Sequence, residues 1–129
     1  MVLKTIIRSQ WTLLAIVDQH GHCDVMEYIE QYVEHNSDAS AMMRTFERVS
    51  QYGPYRDNEK SKQLTRNIYE FRRGQLRVLY FYDKGMLIIC TQPFIKKCKK
   101  TPRSEIERAE CLCKLYRYDQ LNGDITFIT

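Results

Sequence analysis

The most apolar stretch of this sequence, Trp11 to Val17, falls far short of the ~18 residues that cross a bilayer. With Lys4 and Arg8 ahead of it, it has the outline of a signal peptide, but Asp18 ends it and no small-x-small cleavage site follows. Glycine and proline are scarce, five and three, which excludes collagen-like and low-complexity chains. Disulfides are not expected either. The five cysteines (23, 90, 98, 111 and 113) are odd in number and contain no C-x-x-C pair. A chain of 129 residues buries roughly two thirds of its unfolded surface without staples. We read all five as reduced thiols, Cys90 packed in a strand, and the compartment as the cytoplasm. No G-x-x-x-x-G-K loop is present, so no nucleotide cofactor is indicated, and we expect no cofactor of another kind. The three histidines, His20, His22 and His35, all lie near the N-terminus, and H-G-H-C (20–23) lacks the second cluster a zinc site needs.

Charge is abundant but uneven. The net charge is +4. Residues 1–59 carry −4, residues 60–103 carry +10, and residues 104–129 carry −2. In the middle segment acidic residues are nearly absent, so local pairing does not neutralise the lysines and arginines. Such a field attracts polyanions, RNA or an acidic protein segment being the natural ones.

Nothing splits the chain, which reads as one domain over 1–129. Trp11 to Val17 suits a strand, ended by a turn at His20-Gly21-His22. Asp24 is placed to cap a helix whose Val25, Ile29 and Val33 share one face. Asn36 to Ser40 reads as a turn or cap before a second helix marked by Met42, Phe46 and Val49, which Gly53-Pro54 stops. Tyr55 to Lys62 reads as loop. Period-two alternation then predicts strands at Ile68–Arg73, Leu76–Tyr82 and Met86–Gln92, joined at Gly74-Gln75 and Asp83-Lys84-Gly85. After a basic segment, Thr101 and Pro102 suit the cap and first position of a helix with an apolar stripe of Ile106, Ala109, Cys113 and Tyr116. Cys111 and Cys113 should then point to opposite sides. The tail, 119–129, has room for one short strand from Leu121.

The hairpin register carries a functional clue. A two-residue turn at Gly74-Gln75 sets Arg73 opposite Leu76, Arg72 opposite Arg77, Phe71 opposite Val78 and Tyr69 opposite Tyr80. One face then reads Tyr69, Phe71, Val78, Tyr80, Ile88 and Cys90, an apolar surface for helices. The other puts Arg72, Arg77 and Thr91 together. Like charges directly opposite destabilise a sheet by up to about 1 kcal/mol. Glu70, on the same face as Arg72, offsets part of that as a surface ladder. The alternative is an anion site between two guanidinium groups, each able to fork a phosphate. On that reading Arg72, Arg77, Lys96, Lys97, Lys99 and Lys100 converge on one positive surface.

Three stretches, I-Y-E-F-R (68–72), L-R-V-L-Y-F-Y-D-K-G (76–85) and F-I-K-K-C-K-K-T-P-R-S-E-I-E-R-A (94–109), resemble in order and spacing the toxins of the RelE/ParE superfamily, in its HigB-like, phage-associated branch. The resemblance is firmest over 64–118, and over 11–54 only the layout of a strand and two helices corresponds. It implies an α+β fold: a small, mostly antiparallel β-sheet with two N-terminal helices packed on one face and a C-terminal helix. It also implies a type II toxin–antitoxin toxin, a ribosome-dependent endoribonuclease cutting mRNA. The partners implied are the ribosome, mRNA and a cognate antitoxin, often a helix-turn-helix DNA binder, with no membrane. On the basic motif and beside it stand Arg72, Arg77, Lys97 and Lys99 as catalytic candidates. Lys96, Lys100, Arg73, Arg103, Phe94 and Tyr118 are RNA-binding candidates. Thr91-Gln92-Pro93 departs from the family pattern ahead of Phe94, and no histidine falls in the site.

The chemistry is consistent with those residue types. Metal-free RNA cleavage needs a base for the 2′-hydroxyl, an acid for the leaving 5′-oxygen, and positive charge against the phosphorane. Arginines suit the charge role. A lysine, Lys97 or Lys99, serves as base only when its pKa falls well below ~10.4, which crowding among cations favours. Tyr116 lies on an apolar stripe and reads as core. Two other readings compete: a ParE-like, non-nuclease inhibitor of DNA gyrase, and a degenerate member that binds only antitoxin or RNA.

Overall fold

The chain, residues 1–129, is described by a computed structural model. In order it forms β1 (Val2–Arg8), β2 (Thr12–Val17), α1 (Asp24–Tyr32), α2 (Ser37–Tyr52), β3 (Ser61–Gln63), β4 (Tyr69–Arg73), β5 (Leu76–Asp83), β6 (Leu87–Ile95), α3 (Arg103–Leu121) and β7 (Thr126–Ile128). The strands make one sheet in the order β3-β4-β5-β6-β2-β1-β7. The α+β class is as expected, but the sheet is mixed. β2 runs parallel to β6 and β7 parallel to β1, while the other neighbours are antiparallel. No helix is long and apolar enough to cross a membrane.

Both sheet faces are covered, so the molecule has two cores. On one face α1 and α2 bury Val25, Ile29, Met42, Phe46 and Val49 against Phe71, Val78, Tyr80, Ile88 and Cys90. On the other, α3 buries Ala109, Cys113 and Tyr116 against Ile68, Leu79, Phe81 and Ile89. Three and four residue spacings on the helices, and alternation on the strands, select these side chains. Cys111 is exposed and Cys113 buried, as their two-residue offset requires, and all five thiols are free. Burial of Tyr116 raises its pKa, and its hydroxyl donates to Asp83. Arg117 and Gln120 bond the same carboxylate, tying α3 to the β5–β6 turn.

Several boundaries differ from the sequence reading. Residues before Trp11 form β1, and Ser61 and Lys62, at the end of the stretch read as loop, join Gln63 in the edge strand β3 that pairs with β4. The cap of α1 is Cys23, whose N–H donates to the Glu27 carboxylate at 2.8 Å, and Asp24 is the first helical residue instead. Asp24 pairs with Arg108 of α3. Asn36 caps α2, its side chain accepting from Ala39 N–H. Pro102, not Thr101, caps α3.

The β4–β5 pairing is the expected one, with Arg72 opposite Arg77 and Phe71 opposite Val78. Gly74 makes the turn with φ +57°, and a Cβ there would meet the Asp38 carboxylate of α2, which accepts from Gln75 N–H at 3.0 Å. The β5–β6 pairing is not. Met86 adopts φ +59° inside the turn, so Tyr82 faces Ile88 instead of Met86. Between Val78/Pro93 and Tyr80/Cys90 the register shifts by one residue on β6. Arg77 therefore faces Phe94, not Thr91, whose hydroxyl bonds Leu79 O instead.

Candidate nucleic-acid interface

The end of the α3-side face is charged instead of apolar. Glu70 and Arg72 on β4 and Arg77 on β5 fall on the face that Ile68, Leu79 and Phe81 occupy further along, because alternate residues share a face. The Glu70 side chain is 1% exposed, and one carboxylate oxygen lies 3.4 Å from Nε of both Arg72 and Arg77. Its other oxygen accepts from the Thr101 hydroxyl, which belongs to the segment leading into α3. One carboxylate thus separates two cations that register forces together. A surface ladder is excluded by this burial.

The two arginines are not equivalent. Arg77 is 7% exposed and spends Nη1 on the carbonyls of Gly74 (2.7 Å) and Leu76 (3.0 Å), bracing the turn. Burial pushes its pKa down from the ordinary guanidinium value, with Glu70 opposing. It remains a cation at neutral pH. Arg72 is 27% exposed and gives Nη1 to Asn58 O at 3.0 Å. Neither Nε makes a hydrogen bond of good geometry, so Glu70 acts on them mainly through charge.

Lysines rise over this pair. After β6 the chain crosses beside the β4–β5 turn, with Lys96 N–H bonded to Gln75 O at 2.8 Å. Two adjoining depressions result. One, about 260 Å³, is lined by Arg72, Glu70, Lys62, Lys96, Lys99, Lys100 and Thr101. The other, about 380 Å³, is lined by Arg77, Gly74, Gln75, Lys96, Lys97, Cys98 and Lys99. Arg72, Arg77, Lys96, Lys97, Lys99 and Lys100 are therefore gathered at one end of the sheet.

The remaining candidates go elsewhere. Arg73, one residue on from Arg72, points to the opposite face and donates to Thr45 of α2 at 2.8 Å. Arg103 opens α3 with a side chain 92% exposed and paired to Glu107. Tyr118 is 66% exposed near the far end of α3, about 20 Å along the helix from Arg103. Phe94 faces Arg77 but packs against the α3-side core, lining neither depression. Among the wall residues that the sequence reading did not place in the site are Lys62 and Thr101. Lys62 belongs to a three-residue edge strand with no periodic signal, and Thr101 has the pattern of a helix cap. Glu70 was legible only as partial compensation for Arg72, because spacing says nothing of its burial.

Comparison with curated proteins yields no match. A family profile does match: residues 34–114, well over half of the chain, fit the family described as phage derived protein Gp49-like (DUF891). That stretch runs from the entry to α2 through the arginine pair and the lysine segment into α3. The chain belongs to this phage-derived Gp49-like family, which is related to the toxins of toxin–antitoxin systems.

Proposed function

We propose that the protein is the toxin of a type II toxin–antitoxin pair, of the HigB-like kind, and that it acts as a ribosome-dependent mRNA endoribonuclease. One observation carries the reading: guanidinium groups from two adjacent strands and the lysines of the following segment line one cationic hollow. Its few apolar wall residues and dense positive charge suit a phosphate-rich strand better than an apolar protein surface.

In the proposed reaction the 2′-oxygen forms a bond to the adjacent phosphorus while the bond from phosphorus to the 5′-oxygen breaks. The proton of the 2′-hydroxyl passes to a base, for which Lys97 and Lys99 are the candidates, and the 5′-oxygen takes a proton from an acid. Arg72, backed by Arg77, offsets the charge that builds on the phosphorane oxygens. Glu70 keeps the guanidinium groups in place before substrate arrives, and that preorganisation is what makes charge effective in a transition state. No side chain here forms a dedicated acid/base pair, so positioning of the mRNA by the ribosome fits the weak intrinsic machinery. The cognate antitoxin, a helix-turn-helix protein with an acidic arm, neutralises the toxin by laying that arm near Lys96 to Arg103.

Primer extension on transcripts after brief induction tests the reading. Discrete new 5′ ends that vanish with Arg72→Ala are the expected result. Intact transcripts accompanied by DNA damage would overturn it in favour of a gyrase inhibitor. Intact transcripts without damage would leave a protein that binds only antitoxin or RNA.

A further inference from the structure

The cationic hollow is double, and its two halves repeat the same set of charges although their arginines are buried to different depths. Each has its own guanidinium, Arg72 in one and Arg77 in the other, and its own lysine, Lys100 and Lys97 respectively. Lys96 and Lys99 line both and stand between them. One guanidinium and one or two ammonium groups suffice for a single phosphodiester. A lone phosphate in either half would leave the other half's own guanidinium and lysine unanswered. The halves adjoin and share two lysine side chains, as successive phosphates of one strand share the ribose between them.

From this duplication we infer that the two halves are consecutive phosphate subsites of a single RNA strand, with Lys96 and Lys99 at the ribose between them. The inference deepens the ribonuclease reading and rests on it. It sets the least substrate as a segment with two successive phosphodiesters. Glu70 belongs to the same design. Its carboxylate lies on the Nε side of both arginines, and Nη1 of each is spent on backbone carbonyls. The pair is thus held in place, and Nη2 of each, which makes no bond within the fold, is left for the strand. The walls favour nucleic acid over an acidic peptide. Leu64 and Ile106 are the apolar side chains of the first half, and the second has none beyond Cys98. A peptide would find little to pack against.

The test uses the full chain and a 2′-deoxy trinucleotide, which lacks the attacking hydroxyl and so reports binding without cleavage. Its comparison ligands are the same trinucleotide with either the first or the second phosphodiester replaced by a neutral methylphosphonate. The charged trinucleotide should bind about tenfold more tightly than either, the gain of one charge-assisted contact. Lys97→Ala and Lys100→Ala, both on exposed side chains that make no bond within the fold, should each abolish the gain at one phosphate and keep it at the other. Each should also flatten the plot of log affinity against log salt by about 0.7. Equal binding of the charged ligand and either comparison ligand, loss of the same gain in both variants, or both gains intact in either variant overturns the inference. So does an Asp-Asp-Asp tripeptide that binds as tightly as the charged trinucleotide. Cut transcripts in cells without the two-phosphate gain would remove only the subsites. The gain without cut transcripts would remove only the nuclease.

Discussion

The two faces of the β4–β5 hairpin are made by the same ten or so residues and have opposite fates. On one face Phe71 and Val78 meet across the strands beneath α2, where Phe71 lies edge-on to Phe46 and stacks on Tyr80. One step along, Arg72 meets Arg77 on the other face, where α3 has not yet begun and only the lysine segment crosses. The first face is held by apolar burial, which is non-directional and tolerates no water. The second is held by one buried carboxylate between two cations, leaving positive charge facing outward. The contrast shows how a small fold keeps a charged surface beside its core: the proposed anion site lies at the end of the α3-side face, beyond the residues that α3 covers.

Four results would break or sharpen that contrast. Phe71→Ala removes a fully buried ring and should cost about 3–5 kcal/mol of stability, read from urea unfolding. Arg72→Ala should by contrast shift the urea midpoint little while lowering the cleavage rate ~100–1000-fold, as loss of one preorganised charge does. A large stability loss from Arg72→Ala would mean that the second face is structural too. Glu70→Ala leaves Arg77 buried without its counter-charge and should cost about 3 kcal/mol, whereas Glu70→Gln, which keeps the volume, should cost less. Identical unfolding of the two variants would show that shape, not charge, is what Glu70 supplies.

Smaller effects separate the faces at their edges. Thr101→Val keeps the size of the side chain but loses the hydroxyl that anchors the lysine segment to Glu70. It should cost about 1 kcal/mol and speed amide exchange over residues 96–101. At the thiols, Cys98 and Cys111 should react first with a maleimide in the folded chain, and Cys98, on the wall of the Arg77 half, should be shielded by the bound trinucleotide. Burial raises the pKa of Cys90, Cys113 and Cys23, so the folded chain keeps protons that the unfolded chain releases above about 9. Stability should therefore fall as the pH rises past that value, and Cys90→Ala should make the fall shallower.

Much of this was legible from short-range pattern. The β4–β5 register followed from Gly74-Gln75, since a two-residue turn leaves one pairing in which Phe71 and Val78 face the same core. Where an extra residue intervened, the reading slipped. The bulge opposite Val78–Tyr80 and the left-handed Met86 moved Phe94 into the place expected of Thr91, because neither leaves a mark in the alternation. Arg73 shows the same limit: its charge suits the site, yet strand parity sends it to α2. β7 pairs with β1 from the other end of the chain, and β3 and β7 have only three residues each, too few for a period to show.

By itself the sequence determined the α+β class, the apolar face of the hairpin, the juxtaposition of Arg72 with Arg77 and the concentration of positive charge in one segment. The class came with the family resemblance, the charge with composition, and the two hairpin features with local spacing, where covalent geometry sets which side chains share a face. Tertiary structure alone decided that Glu70 is buried between the guanidinium groups, that Arg77 braces a turn while Arg72 reaches outward, and that Lys62 and Thr101 close the walls. Those facts depend on where distant segments cross and on which groups lose water there, and neither burial nor solvent exclusion is a property of any short stretch of chain.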